Sequence, residues 1–556
     1  MATYAFNEQF DYVIVGSGAA GSILANRLSA DGRSSVCLIE AGPADRHPYI
    51  HLPAGFIKMI FNPRYAWQFK TAPNALTLNR EIPIPQGRTL GGSTSINGLV
   101  FNRGQRHDYD NWASLGNPGW DYQSVLPYFK LLENRRVAPD DTYRGSQGLL
   151  PVSDMDWQHP ICDAFIEGAQ ELGIPHNKDY NAAAQEGVGY FQRTIFHGRR
   201  MSTAQTYLKP ARRRANLTVR TLSQATRVLF EGTTAVGVEY AHPDNKRKTC
   251  IAAKREVIIS AGAVNTPKLL QLSGIGEREH LASLGIPLVH EAPGVGANLK
   301  DHYSVRIVGR VKNSTTLNEE AKGLRLGRQV FNWVCRRPSI LALSPSLVHI
   351  FWKSDDNQPY ADLQGVFTPA SYKEGYVGML DDYPGMTCGF WQHRPLSTGY
   401  VKIVSSDPFI NPMVQPNYLQ APEDREVLIK GIRLARRLLA SNALSRYMDK
   451  EALPGSERQS DEELLEFARR YGVSSYHLNG TARMGPDSDP MAVVDSQLRV
   501  RGIEKLRVVD SSIMPEIPSA NICAATMMIA EKAADLIRQN APLLDETKTR
   551  TDYQQA

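Results

Sequence analysis

The apolar run from Asp11 to Val15 stops at Gly16, and Ile23, Leu24 and Leu28 follow at helical spacing. This predicts a strand, a tight turn and a helix. A second apolar run, VCLIEAGP, ends on the acid Glu40 and predicts a second strand, so residues 10–42 read as one βαβ unit. Further on, Asn111 to Leu132 repeats Trp, Leu, Val and Phe at roughly helical spacing, and Pro160 to Leu172 predicts another helix. From Asn216 to Ser260 the period shortens to that of strands, in LTVRT, TRVLF, AVGVEYA and REVIIS. The last of these ends in a Gly turn and a short helix, AGAVNTPKLLQLSGIG, at Ala261 to Gly276.

PGVGANLKDHY, Pro293 to Tyr303, reads as a loop leaving the first domain. Residues 304 to about 470 carry short apolar strands (Val348 to Trp352, Gly399 to Ile403), many prolines, and helices near Glu426 to Leu439 and Asp461 to Tyr471. Lys505 to Pro515 returns to a buried-strand pattern, and Ile522 to Ile537 predicts a final helix. The polar tail after Asn540 is expected to be disordered.

The fold class these elements predict is α/β (α+β overall): a Rossmann-like nucleotide-binding domain with a second, mostly antiparallel-sheet substrate domain. The expected nucleotide domain is discontinuous, made of 1–155, 190–303 and 472–540, with 156–189 and 304–471 as the substrate domain and 541–556 as a tail. That arrangement returns Asn521, at the mouth of the final helix, to the first loop.

At 556 residues the chain exceeds what a single core supports. Its 42% apolar and 22% charged residues, with 43 Gly and 34 Pro, describe a turn-rich globular enzyme. A net charge of +6 over this length is mild, and the basic runs Arg212 to Arg214 and Lys246 to Lys248 are short, so no nucleic-acid partner is expected. The six cysteines form no CxxC pair, and no metal site is expected. With neither a signal-peptide pattern nor a run of about 18 apolar residues, the expectation is a cytoplasmic protein without a transmembrane segment, peripheral membrane contact being left open.

The candidate chemistry begins at Gly16, Ser17, Gly18, Ala19, Ala20 and Gly21. The first glycine allows the tight turn, the second lets backbone N–H groups approach a pyrophosphate, and the third lets helix pack on strand. The pyrophosphate would lie on the helix N-terminus. Glu40, nineteen residues beyond Gly21, is placed to accept from ribose hydroxyls and to repel a 2′-phosphate. This pattern alone does not separate FAD from NAD. A second segment, QGRTLGGSTSINGLVFNRG at Gln86 to Gly104, is small and Gly-rich with one early arginine, which suits backbone lying against a flat ligand. Ile96, Leu99, Val100 and Phe101 argue that it is packed and not a flexible loop.

Four blocks carry a family resemblance: GSGAAG with Glu40, GRTLGGSTSIN from Gly87 to Asn97, GAVNTPKLLQLSGIG from Gly262 to Gly276, and YHLNGTARMG with VVDSSIMPEIPSANICAATMMIAEKAA. On these the chain resembles the glucose-methanol-choline (GMC) flavoprotein oxidoreductases over nearly its whole length. HPYIHLPAGFIKM at His47 to Met59 looks most like the choline dehydrogenase-like and L-sorbose dehydrogenase-like branch.

The resemblance implies FAD and oxidation of a primary alcohol or polyol hydroxyl, with a quinone-type acceptor and O₂ as the alternative. It places the catalytic histidine on His477 and its partner on Asn521. The helix starting near Ile522 would point its positive end at the flavin pyrimidine. The expected FAD site comprises Gly16 to Gly21 and Glu40 with Ala41, Trp67, Arg88, Gly91, Gly92, Ser93, Asn97, Gly98, Leu99, Val100, Val228, Ala261, Asp510, Ser511, Asn521, Ile522 and Thr526. Members that bind FAD covalently use a histidine in the GG loop where this chain has Ile96, so the FAD is expected to be noncovalent. His477, Leu478, Asn479, Gly480, Thr481, Ala482 replaces the more usual His, Pro, x, Gly, Thr, Cys, which alters the pocket. Hydroxynitrile lyases resemble the same fold and stand as the alternative of a different class. A photodecarboxylase is disfavoured by His477 and Asn521. His302 and His349 are read as structural.

Overall fold

The structure is a computed structural model that describes residues 4–135, 137, 142–373 and 379–538. The expected tail 541–556 lies outside the described residues. The first sheet runs in the order Leu217–Arg220, Val36–Ile39, Glu8–Val15, Lys248–Ile259, Thr234–Ala241, Gln224–Glu231, with Leu506–Val508 also on Lys248–Ile259. Its central pairs are parallel, Val13 opposite Cys37 on one side and Val257 on the other. Val36–Ile39 is wholly buried, which is why it reads as a continuous apolar run without alternation.

The helix Ala19–Leu28 follows the first strand and packs against the C-terminal helix Cys523–Arg538. Arg27 Nε donates to Glu531 Oε2 at 2.7 Å, with the Glu531 side chain fully buried. The two ends of the chain are thus locked by an ion pair whose half-removal would leave a buried charge unpaired.

Three local readings change. The periodic stretch 111–132 is two helices, Arg106–Ser114 and Tyr122–Leu132, because Gly116 and Gly119 take positive φ and Asp121 caps the second by accepting from Ser124 N. In Lys505 to Pro515 only Leu506–Val508 is strand, since Asp510 then caps a 3₁₀ turn at Ser511–Ile513. The final helix begins at Cys523.

The second sheet is antiparallel and ordered Met448–Leu453, Tyr303–Val311, Gly385–Gln392, Leu363–Thr368, Val348–Trp352, Gly187–Tyr190. Val473–Ser474 also pairs with Tyr303–Val311, so the second sheet extends past the boundary expected at residue 472. The helix Pro422–Leu439 covers one face, presenting Leu428, Ile432, Ala435 and Leu439 at helical spacing. The uncovered face carries three rows in register: Ser304, Trp391 and Gln364; Arg306, Gly389 and Val366; Val308, Thr387 and Thr368. Side chains from all three rows line a cavity. Among the described residues no helix is long and apolar enough to cross a membrane.

Candidate active site

The cavity, about 400 Å³, has the glycine turn of the first sheet at one end and the inner face of the second sheet at the other. At the glycine end, Gly16 has φ +97°, and a Cβ there would lie 2.4 Å from Ser260 O. A Cβ on Gly21 would lie 1.8 Å from Gly16 O, so the turn and the following helix meet only through glycine. Gly18 and Gly262 have nothing within 4 Å of that position and leave open space. Glu40 braces the turn: Oε2 accepts from Ser17 N at 3.1 Å and Ser17 Oγ at 2.7 Å, and Oε1 accepts from Gly42 N at 2.8 Å. Burial pushes its carboxyl upward, against these hydrogen bonds. A carboxylate has about four acceptor sites, so roughly one remains for a ligand hydroxyl.

At the other end His477, 7% exposed, lies between two partners. Its Nδ1 is 2.9 Å from His302 Nδ1, and its Nε2 is 3.0 Å from Asn521 Nδ2. His302 Nε2 lies 2.7 Å from the carbonyl of His393, which only accepts, so His302 carries its proton on Nε2. Burial holds the His302 ring down at about 4, hence neutral with a bare Nδ1. His477 must therefore donate from Nδ1, which leaves its Nε2 without a proton and accepting from Asn521. Gln364 Nε2 in turn donates to Asn521 Oδ1 at 3.1 Å, fixing the amide's orientation. Burial, and then the neighbouring His302, push His477 well below the ordinary histidine range, so it is unprotonated at neutral pH.

The backbone of both histidines is pinned by one carboxylate. Asp301 Oδ1 accepts from His302 N at 2.9 Å and His477 N at 2.7 Å, while Oδ2 accepts from Ser474 Oγ and Tyr418 Oη, both at 2.5 Å. Burial raises its carboxyl to about 6.

Two segments of the chain match family models described as GMC oxidoreductase, residues 10–304 and 395–530. The chain is a GMC oxidoreductase. It is 39% identical over 540 residues to the oxygen-dependent choline dehydrogenase of Photobacterium profundum, covering 97% of this chain and 94% of that one. It is 38% identical over 529 residues to the alcohol dehydrogenase (acceptor) of Pseudomonas putida, covering 95% of each. Among solved structures, pyridoxine 4-oxidase from Mesorbium loti is similar with a TM-score of 0.87 at 30% identity, covering 96% of this chain and all of that one.

FAD is the cofactor of this GMC oxidoreductase, and the cavity fits it. The open glycines Gly18 and Gly262 face the same wall as Ser260, whose buried Oγ has no protein partner. Of the residues expected to hold FAD, most line the cavity, including Glu40, Ala41, Trp67, Asn97, Ala261, Asp510 and Ile522. Four do not. Gly21 and Gly91 shape the turns behind the wall, Gly91 with φ +86°. Arg88 lies over the Trp67 ring, its Cζ 4.5 Å from the centroid, and so acts through Trp67. Val228 is buried in the sheet, its amide donating to Ser273 Oγ, and the wall there is Ser223, Gln224 and Ala225. The error is one of phase, since the strand begins at Gln224 and Val228 lies beyond the cavity.

His302, read as structural, belongs to the hydrogen-bonded chain with His477 and Asn521, whereas His349 packs among Tyr180, Phe191 and Phe351. Asp301, Gln364 and Arg200 escaped the sequence reading altogether. Arg200 is fully buried, pushed down to about 9 by burial, and ties two loops by donating to Ile50 O at 3.0 Å, Thr94 O at 3.2 Å and Asn97 Oδ1 at 2.8 Å. The signal available for His302 was its place beside Asp301 in PGVGANLKDHY, the loop leaving the first domain.

Proposed function

We propose that the protein oxidises an alcohol to the carbonyl compound, with His477 Nε2 taking the hydroxyl proton and Asn521 Nδ2 donating to the substrate oxygen. When bound, FAD supplies the hydride acceptor. The observation that carries this reading is the bare Nε2 of a neutral His477 on the cavity wall beside an amide N–H. A neutral alcohol is a poor hydride donor, so removal of its proton must accompany hydride departure, and a positioned base contributes roughly 10²- to 10⁴-fold. Asn521 is held amide-forward by Gln364 and cannot compete for the proton. As His477 gains the proton, its Nδ1–H stays on His302, so the ring does not turn.

The resemblance to an alcohol dehydrogenase (acceptor) supports a quinone-type acceptor, and that to an oxygen-dependent choline dehydrogenase supports O₂ as the second reading. Anaerobic mixing of the yellow holoprotein with primary alcohols, polyols and aryl alcohols should bleach the flavin absorbance. Recovery with a quinone faster than with air favours the first acceptor. A flavin that stays yellow with every alcohol overturns the reading and favours a lyase.

A further inference from the structure

The charges lining the cavity are unevenly placed. Its carboxylates are Glu40, braced on Ser17 and Gly42, and Asp510, whose Oδ2 accepts from Gly262 N at 2.8 Å and Thr266 Oγ1 at 2.6 Å. Both stand among the glycine turns. Lys268, also on the wall, gives its Nζ to Pro408 O at 2.7 Å. At the His477 end the charged side chain is Arg306, and among the described residues no carboxylate lies within ion-pair distance of it. Asp301 is nearby in sequence, but its oxygens are taken up by two amides and two hydroxyls.

Arg306 is built into the wall. It opposes Gly389 on the neighbouring strand, where a Cβ would lie 3.6 Å from Arg306 Cγ, an ordinary packing distance. The guanidinium lies 6.0 Å from the Tyr372 ring centroid. The adjacent row on the same face holds Trp391, whose ring is 6.1 Å from that of His477, and Gln364, bonded to Asn521. Two residues along a strand span about 7 Å. The Arg306 backbone therefore stands one pleat repeat from the row whose Trp391 and Gln364 side chains reach His477 and Asn521, and the cavity wall that they share includes Tyr372, Tyr476 and Phe191.

We propose that the substrate alcohol carries a carboxylate, bound by Arg306, at the far side of a short aromatic or similarly sized spacer from the carbinol carbon. The guanidinium matches a carboxylate through two parallel N–H donors. It also disfavours a quaternary ammonium alcohol, for which the described residues at the His477 end offer no free negative group. The inference rests on the alcohol-oxidation reading and names its substrate class. The bonds changed are those of that reading: the carbinol C–H leaves as hydride to FAD and the O–H proton goes to His477, while the carboxylate is unaltered.

The test compares 4-(hydroxymethyl)benzoate, benzyl alcohol and choline as anaerobic reductants of the holoprotein, in the natural chain, in Arg306→Gln and in Arg306→Lys. The natural chain should prefer the carboxylate over benzyl alcohol by about 10- to 100-fold in second-order rate, the range expected for one charge-assisted contact. Choline should be the poorest. Arg306→Gln should bring the carboxylate-to-benzyl ratio to about one, and Arg306→Lys should restore part of it. Binding of unreactive 4-methylbenzoate, read from the perturbed flavin spectrum, should weaken in Arg306→Gln by a similar factor. Benzyl alcohol or choline reducing the flavin as well as the carboxylate does overturns this inference and leaves alcohol oxidation standing. A ratio or a 4-methylbenzoate affinity that survives Arg306→Gln also overturns it. If no alcohol bleaches the flavin, the alcohol reading fails, and the proposal falls with it even where 4-methylbenzoate binds.

Discussion

His302 Nδ1 and His477 Nδ1 lie 2.9 Å apart, and because His302 holds its own proton on the His393 carbonyl, the pair leaves His477 Nε2 bare. A tautomer set in the protein interior thus fixes which nitrogen of His477 is unprotonated. His302→Ala removes the acceptor for His477 Nδ1–H, so both tautomers become populated. A charged partner that fixes a tautomer is worth about 10⁴ in kcat in a hydrolase triad. For this neutral partner the expected loss in flavin reduction is smaller, roughly 10- to 100-fold, with FAD retained. His302→Gln, whose amide oxygen can accept, should recover part of the rate. Equal loss in both variants would reduce His302 to a packing residue.

Asn521 is oriented from outside the cavity by Gln364. Gln364→Leu frees the amide to flip and present its oxygen to His477. Steady-state kinetics should then show kcat/KM falling by roughly 3- to 10-fold, the scale of a lost hydrogen bond of about 1 kcal/mol. Asn521→Leu, which removes the donor itself, should cost more. A Gln364→Leu enzyme with unaltered kcat/KM would mean that the amide needs no such support.

The glycine turn should be intolerant at Gly21, where a Cβ meets Gly16 O at 1.8 Å. Gly21→Ala is expected to purify without flavin or not to fold, whereas Gly18→Ala, with open space around it, should fold and bind FAD more weakly. Flavin-to-protein absorbance ratios of the two variants decide this, and full FAD in Gly21→Ala would contradict the packing described.

Acid should unfold the protein through its buried neutral histidines. Burial lowers His302 to about 4 and His349 to about 3, both from an ordinary 6.5. Between those values and 6.5 the unfolded chain binds protons that the native state refuses, so stability is lost as pH falls through that window. For His302 the loss amounts to about 3 kcal/mol by pH 4. Asp301 works the other way, since its carboxyl is raised to about 6 and the native state binds its proton first, and burial raises Glu40 and Asp108 as well. Burial also lowers His393 and His477, so four buried histidines against three buried carboxylates leave a net loss. Thermal unfolding followed at pH 7, 6, 5 and 4 should show Tm falling with each step below 6.5.

The nucleotide end was legible because its chemistry is local: a strand, three glycines and an acid within 40 residues. His477 and Asn521 were legible only through family motifs, and the structure brings them to 3.0 Å across 44 positions. Gln364 and Arg306 were not legible, since each matters through its place in a sheet register and not by sequence spacing, and His302, in a loop, matters through a contact with His477, 175 positions away. Ser304 and Arg306 alternate onto one face, but which face meets the cavity follows from the helix Pro422–Leu439 covering the other. Val228 failed for the same reason, as a shift of three positions along a strand leaves the wall.

The central claim is that His477 is the base of an alcohol oxidation. His477→Ala, loaded with FAD, should be reduced by its best alcohol roughly 10²- to 10⁴-fold more slowly than the natural protein in anaerobic stopped-flow, with the flavin spectrum unchanged. Reduction at the same rate in both would contradict the account.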